Sequence, residues 1–384
     1  MTQWIDATFV RGGTSKGLFF REDALPVLGE DGDTSERDAL FCSALGSPDS
    51  FGRQLDGMGG GISSLSKVMV VSASTREGVD LDYTFGQVSV TEAAVDYSGN
   101  CGNLSSGVVP FALSAGLIEA ADGWHVFRLF NTNTSKLVDV GLGVLDGQAA
   151  VEGELVVPGV SGTGAPIELI YPDPAGSRTG SLLPTGVSRE EFEVGGARFE
   201  ATLVDATLLL VVVPSTLVSL DGTERPEAID ASTPTMRLID ELRRKAAVRM
   251  GLCQTPETAP EVVPKVAIVS NPQSTTLLDG TELPAADVDI LVRVISMEQA
   301  HRAVPGTAAM CLAAAALLPD RDSFVRCIIE RNNPDWTGPE VRLGTPSGVV
   351  TASAVWDDEA QTVTATSLFR TARVLMRGQV AVSD

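Results

Sequence analysis

Two stretches of this chain, 104–115 and 307–318, are apolar or small on every side of a helical wheel, with Ala, Ser and Gly where a surface helix would carry charge. A helix without a polar face cannot lie against solvent and must be enclosed by other structure. One such helix falls in each half of the chain, so the sequence calls for two enclosures. The material for them is short: 38 glycines and 21 prolines punctuate runs rich in Val, Ile, Thr and Phe at 4–10, 17–20, 68–72, 84–90, 126–131, 199–213, 266–269, 290–294 and 350–355. Runs of that length bounded by turn formers read as strands. Two further segments, 35–46 and 235–251, are apolar on one side only and read as peripheral amphipathic helices. The second has Ser232 or Thr233 as N-cap, Pro234 near its first turn and Gly251 at its end.

The order of strands, buried helix and more strands recurs along the 384 residues, which predicts two similar domains, 1–186 and 187–384, with the last strand able to return to the first domain. The boundary is expected within 171–189, which collects turn residues without an apolar period. A cleft between the halves is then the expected ligand site.

Charge and composition exclude several functions. With 28 basic against 50 acidic residues the net charge is −22, which argues against a nucleic-acid surface and means that an anionic ligand must be met locally. The longest apolar runs, 208–214 and 310–319, fall short of the ~20 residues a membrane-spanning helix needs. No basic and apolar leader follows Met1, so a cytoplasmic location is expected. Five widely spaced cysteines, an odd number, fit reduced thiols. His125 and His301 stand far apart, so neither a metal site nor a histidine-based one is expected.

Four clusters can carry chemistry. Ser-Gly-Asn-Cys-Gly-Asn-Leu-Ser-Ser at 98–106 lies where a buried helix begins, a position that favours an anion or the thiolate of Cys101; an ordinary cap with an inert cysteine fits the same residues. A glycine-rich stretch at 46–66 ends in Lys67 at the start of an apolar strand. Desolvation or Arg53 can tune such a lysine toward a base, and a solvated strand-end lysine is the commoner outcome. Gly59, Gly60 and Gly61 are not followed by Gly-Lys-Ser/Thr, so no nucleotide loop is expected. Arg-Gly-Gly-Thr-Ser-Lys at 11–16 sits between two strands, where Arg11, Ser15 and Lys16 can meet an anion or merely form a hairpin turn. Gly-Thr-Pro-Ser-Gly at 344–348 repeats that composition, with Ser347 and Gly348 as hydroxyl and amide donors.

Taken in order, these motifs resemble the PrpF family of 2-methylaconitate isomerases and 4-oxalomesaconate tautomerases, which share the diaminopimelate-epimerase-like fold. The resemblance runs over nearly the whole length. Further matches are Gly-Thr-Gly-Ala-Pro at 162–166, Asp-Pro-Ala-Gly at 173–176, Leu-Pro-Thr-Gly at 183–186, His301 with Arg302, and Arg-Thr-Ala-Arg at 370–373. It implies an α+β fold of two similar domains, each a mixed, barrel-like sheet around a central buried helix, with the active site between the halves. It also implies that Lys67 and Cys101 form the acid/base pair. Ser15, Lys16, Arg53, Ser66, Asn100, Gly102, Asn103, Thr307, Ser347 and Gly348 are then expected around the substrate. Cys311 falls about a turn inside its helix and is expected in the core.

The implied chemistry moves a proton, and a double bond with it, in an unsaturated di- or tricarboxylic acid, and needs no metal or redox cofactor. The chain departs from the family at Asp-Ala-Thr-Leu-Leu, 205–209, where many members have Asp-Ala-x-Asn-Pro, and at Thr345, where many have His. The alternative is a non-catalytic carboxylate-binding or accessory protein to a dehydratase; an amino-acid racemase, which would want two opposed thiols, ranks last. The expected partner is the small carboxylate alone, with no nucleic acid or membrane, and monomer and homodimer are both open.

Overall fold

Strand β1 (Thr2–Gly12) reverses into β2 (Ser15–Arg21) through Gly13, whose φ of 50° is a left-handed conformation that glycine adopts without strain. In the computed structural model, which describes residues 2–296 and 299–383, this hairpin opens one of two compact units. Met1 and Asp384, the outer bounds of the two expected halves, lie outside the described residues. The first unit runs to Ile170 and resumes at Phe369; the second is Tyr171–Leu368.

In the first unit α1 (Ser35–Leu45) ends on Gly46 in the left-handed conformation. The glycine-rich loop that follows closes on a buried side chain: Gln54 Nε2 donates to Ser47 Oγ at 2.8 Å and Ser66 Oγ at 2.7 Å, and its Oε1 accepts from the Gly61 N–H. The loop delivers the chain into β3 (Lys67–Ala73), which lies parallel to β2 and antiparallel to β4 (Leu81–Val88). The short β5 (Val95–Asp96) pairs antiparallel with the end of β4. Beyond α2 (Gly102–Ser105) and α3 (Val108–Ser114), β6 (Gly123–Asn131) pairs parallel with β4 and antiparallel with β7 (Lys136–Leu145). The unit continues through β8 (Gln148–Ala149), β9 (Leu155–Val156), β10 (Thr163–Gly164) and the start of β11 (Ile167–Pro172).

Alternation gives this sheet two faces. Leu18, Phe20, Val68, Val70 and Val88 pack against Leu40, Phe41 and Leu45 of α1. On the other face Phe19 meets Phe111 of α3, ring centroids 5.5 Å apart. The expected single helix over 104–115 is instead two, because Pro110 supplies no N–H and clashes with a preceding helical turn; a fresh start at Val108 puts it in the first turn.

In the second unit β12 (Glu190–Val194) and β13 (Ala197–Ala206) form a hairpin, and β13 pairs antiparallel with β14 (Leu208–Pro214). The run 199–213, read from sequence as one strand, therefore turns back at Thr207, which takes φ 63°. Helices α4 (Pro226–Ala231) and α5 (Thr233–Arg249) precede β15 (Lys265–Ser270), parallel to β14. After β16 (Thr275–Thr276) and β17 (Glu282–Leu283), β18 (Ile290–Ser296) pairs antiparallel with β15 and with the short β19 (Gln299–Ala300). Helices α6 (Gly306–Ala316) and α7 (Phe324–Asn332) follow. Then β20 (Glu340–Thr345) pairs parallel with β18 and antiparallel with β21 (Gly348–Asp357), which pairs with β22 (Thr362–Arg370). The last strand, β23 (Ala372–Ser383), lies antiparallel to β1 in the first unit. The whole is mixed α+β with mixed sheet pairing.

The turn-rich segment 171–186 belongs to the second unit because it is wound around one carboxylate. Buried Asp205 accepts from Ser177 Oγ at 2.9 Å, the Arg178 and Thr179 N–H groups at 2.9 and 2.7 Å, and Thr179 Oγ1 at 2.9 Å. Its backbone binds Gly176 and Leu182 as well. A segment so bonded is part of a domain rather than a linker, which moves the division from 186 to 170. Hydrogen bonds to a buried charge contribute about 1.5–3 kcal/mol each. Asp205→Ala is expected to lower stability by roughly 3 kcal/mol or more, with Asp205→Asn losing less; denaturant titration of both checks this, and an Ala variant as stable as the parent would contradict it.

Candidate active site

Register places the chemistry of the first unit on the sheet face away from α1. Ser15, Gly17 and Phe19 point to that face from β2, and Lys67 and Met69 from β3. Across the β3–β4 ladder Lys67 is opposite Gln87, and Met69 opposite Phe85. Gly17 is required here, since a Cβ would overlap the Lys67 carbonyl oxygen.

Lys67 is buried, and its ammonium donates to Gln87 Oε1 while lying 4.9 Å from the Phe85 ring centroid. The NH₂ end of Gln87 is committed to the carbonyls of Ser66, at 2.8 Å, and Ser63, at 3.1 Å, so its oxygen is the end presented to the lysine. A neutral amine also keeps a hydrogen for that oxygen, so the contact survives in either protonation state.

Cys101 is half-buried, in extended backbone immediately before α2, with its thiol 3.8 Å from the hydroxyl of buried Ser15. Two supports hold it there. Beneath, Ser105 Oγ lies 3.1 Å from the Cys101 carbonyl, 3.2 Å from Asn100 Oδ1 and 3.2 Å from the Tyr83 hydroxyl. Tyr83 is fully enclosed, which pushes its phenol above the ordinary value and keeps it neutral. Beside it, the β1–β2 hairpin presses on Asn103: a Cβ on Gly12 would overlap the Asn103 carbonyl, and one on Gly13 its side-chain oxygen. The Asn103 amide donates to Thr14 Oγ1 and accepts from Arg370 Nε, both at 3.0 Å. Arg11 ties the hairpin to Thr371 by donating to its carbonyl at 2.9 Å.

Ser15, Lys67, Asn100, Cys101, Gly102 and Asn103 therefore gather at one side of this unit, with the Asn103 side chain spent on holding the hairpin. Three expected substrate contacts do not join them. Lys16 alternates to the opposite face, where it lies over the Phe9 ring at 5.4 Å. Arg53 is exposed and lines a cleft of about 800 Å³ beside α1 with Ala39, Cys42 and Asp56. Ser66 is buried, accepting from Gln54 and donating to the Val88 carbonyl. Gln87, by contrast, escaped sequence reading because no motif surrounds it; only its place at the end of an alternating strand opposite Lys67 marks it.

In the second unit Thr307 lies in the first turn of α6, its carbonyl accepting from Thr207 Oγ1 at 2.9 Å, which holds the strained β13–β14 turn. Ser347 Oγ donates to the Arg302 carbonyl at 2.6 Å. Thr345, buried, donates to the Gly348 carbonyl at 2.8 Å and accepts the Ser347 N–H, so the residue that departs from the family pattern locks the β20–β21 turn. Cys311 is fully buried with its thiol on the Leu208 carbonyl, and burial raises its pKa, so it stays a protonated core residue. Among the described residues no group of three or more His, Cys, Asp or Glu could hold a metal ion, and no helix is long and apolar enough to cross a membrane.

The sequence profile of a family described as PrpF protein matches residues 2–383. The 2-methyl-aconitate isomerase of Cupriavidus necator is 38% identical over 98% of this chain and 97% of its own. The (4E)-oxalomesaconate Delta-isomerase of Novosphingobium sp. (strain KA1) is 34% identical over 97% and 96%. A crystal structure of methylitaconate-delta-isomerase superimposes with a TM-score of 0.88 at 34% identity, covering 99% of this chain and 96% of that one.

Gly17→Ala tests the close approach of β2 to β3. Relieving the overlap with the Lys67 carbonyl requires the strands to part, at a cost of about 1–3 kcal/mol. We expect the melting temperature to fall and Lys67 to lose its place opposite Gln87; an alanine variant with unchanged stability and crystal structure would show that the glycine is dispensable.

Proposed function

We propose, from the premise that the chain belongs to the PrpF family, that it is an isomerase that moves a proton within an unsaturated di- or tricarboxylic acid. The observation that carries this reading is the placement of the Lys67 amine and the Cys101 thiol on the same side of one sheet, each held by a neutral partner, Gln87 and Ser15. Relatives and a structural neighbour whose names give 2-methylaconitate, oxalomesaconate and methylitaconate support the substrate class.

In these acids a C–H next to a conjugated double bond is acidified by the adjoining carboxylates. Lys67 removes that proton, leaving a delocalised, dienolate-like anion. Return of a proton at the far end of the allylic system, with Cys101 as the second acid, shifts the double bond; return after bond rotation exchanges cis and trans. Groups of this kind act over hydrogen-bonding distance, about 3 Å, and donors around the carboxylates stabilise the charge that grows as the proton leaves.

The two units are read as copies of one domain, each a barrel-like layer around a central helix. Support comes from their pairing order. In each, a hairpin (β1–β2; β13–β14) is joined in parallel by a third strand (β3; β15). That strand is followed by an antiparallel one (β4; β18) with a short antiparallel partner (β5; β19), then a buried helical segment (α2–α3; α6) and a parallel strand (β6; β20) with its antiparallel neighbour (β7; β21).

Proton NMR in deuterated water, with cis- and trans-aconitate, 2-methylaconitate, oxalomesaconate and smaller unsaturated diacids, tests the function. Deuterium is expected to enter at least one acid, and Lys67→Ala and Cys101→Ser are each expected to remove most of that exchange while the variants stay folded by circular dichroism. Full exchange in both variants would refute the roles given to them. Binding of an acid with no exchange would move the chain to the non-catalytic carboxylate-binding class.

A further inference from the structure

While β3 occupies one edge of β4 from Leu81 to Gln87, the other edge is shared between three partners. β6 pairs with it in parallel from Leu81 to Tyr83, and the Thr132 N–H follows on to the Tyr83 carbonyl at 3.0 Å. β5 takes the far end, with Asp96 opposite Gln87 and Val95 opposite Val88. The rung between them, at Phe85, is filled by a side chain. Asn133 Oδ1 accepts from the Phe85 N–H at 2.8 Å and Nδ2 donates to the Phe85 carbonyl at 2.8 Å, the two bonds that a neighbouring strand would exchange with one residue. The second N–H of the same amide donates to the Tyr97 carbonyl, also at 2.8 Å. One N–H and two carbonyls to satisfy call for an amide, which is acceptor at one end and twofold donor at the other.

Asn133 is firmly mounted. It lies half-buried in the β6–β7 turn, and buried Asn131 closes that turn by accepting from the Thr134 N–H at 2.8 Å and Thr134 Oγ1 at 2.9 Å. Its partners belong to the two halves of the proton-transfer pair. Phe85 carries the ring that lies 4.9 Å from the Lys67 ammonium. At Tyr97 the chain has left β4, turned away by the bond from the Ser98 N–H to Asp96 Oδ1 at 2.8 Å, and it runs on directly to Asn100 and Cys101. The Tyr97 hydroxyl donates to Asp38 of α1 at 2.6 Å, which ties down the ring, while Asn133 ties down the backbone.

Loss of Asn133 would not fall equally on the two halves. Phe85 keeps its place opposite Met69 through the β3–β4 ladder, whereas residues 97–101 belong to no strand or helix. We propose that Asn133 is a positioning residue for the proton transfer, holding the segment that bears Cys101 at a fixed distance from the strand that frames Lys67. This rests on the isomerase reading above. In that reading Lys67 takes the proton from carbon, trades it with solvent and can return a deuteron to the same carbon without help. Shifting the double bond also requires the Cys101 thiol to give its proton to the far carbon, the thiolate and the ammonium then re-equilibrating with water. A displaced 97–101 segment therefore separates exchange from isomerisation.

The test follows both processes by NMR in deuterated water for the full chain and for Asn133→Asp and Asn133→Ala, with cis- and trans-aconitate, 2-methylaconitate and oxalomesaconate. The Asp variant keeps the acceptor for the Phe85 N–H and loses both donors; the Ala variant loses all three bonds. In each, isomerisation at saturating acid is expected to fall roughly tenfold to a hundredfold, the scale set by a small misplacement of reacting groups. KM is expected to stay within several-fold of the parent, and the number of exchange events per isomerisation to rise several-fold. A variant that is merely less folded loses both rates together and keeps the parent's ratio. An unchanged ratio in the Ala variant, or in the Asp variant should the Ala variant not fold, overturns the proposal and leaves the isomerase reading in place. Failure of both variants to fold does the same, since it assigns Asn133 to stability. A parent that exchanges without isomerising removes the role given to Cys101, and one that does neither removes the isomerase reading; the proposal falls with each.

Discussion

The parallel pairing of β2 with β3 is the constraint on which the first unit's site depends. At Gly17 the two backbones come so close that no side chain fits against the Lys67 carbonyl. That approach sets the height at which Lys67 enters the sheet, and therefore which residue of β4 stands opposite it; Gln87 and Phe85 become its neighbours by register alone. The same strand carries Ser15 two residues earlier on the same face, beside the Cys101 thiol. A second close approach, Gly12 and Gly13 against Asn103, seats the segment that bears Cys101. Glycines thus act here by what they leave out, and they do so where backbone must touch backbone.

Charge is distributed with a similar logic. Several carboxylates of this acidic chain are consumed by the backbone: Asp49 accepts the N–H groups of Phe51 and Arg53, and Asp205 those of Arg178 and Thr179. Others pair with arginines at the surface, as Asp139 does with Arg128. The buried Lys67 and the half-buried Lys265 are treated differently, with Gln87 and Ser296 as partners. A neutral partner orients an amine without neutralising it, which leaves the charge or the lone pair for a ligand.

Much of this was legible in the chain. Segment 35–46 became α1 with Gly46 at its left-handed end, and 235–251 became α5, because amphipathic period and terminal signals act locally. Cys311 is in the core, as its position a turn inside an apolar helix implied. The failures have local causes too. Pro110 broke a helix that its apolar composition had suggested was continuous, and Thr207 turned one apolar run into two strands at a φ that a β-branched residue seldom takes. The short α4 and α7 carried too few turns for a period to stand out. Lys16, Arg53 and Ser66 were grouped with the site because they are near it in sequence; alternation turns Lys16 to the other face, buried Gln54 engages Ser66, and Arg53 lines an exposed cleft beside α1.

The residues alone determined that two apolar helices had to be enclosed by short strands, that Cys101 stands at a helix start and Lys67 at a strand start, and which family the ordered motifs resemble. Those are properties of neighbours along the chain, where period, caps and turn chemistry operate. Only the tertiary structure decided that Gln87 receives Lys67, that Ser15 faces Cys101, and that Asp205 binds the segment once expected to be a linker. Each of these depends on strand register, and a shift of one residue would turn every one of the side chains to the opposite face.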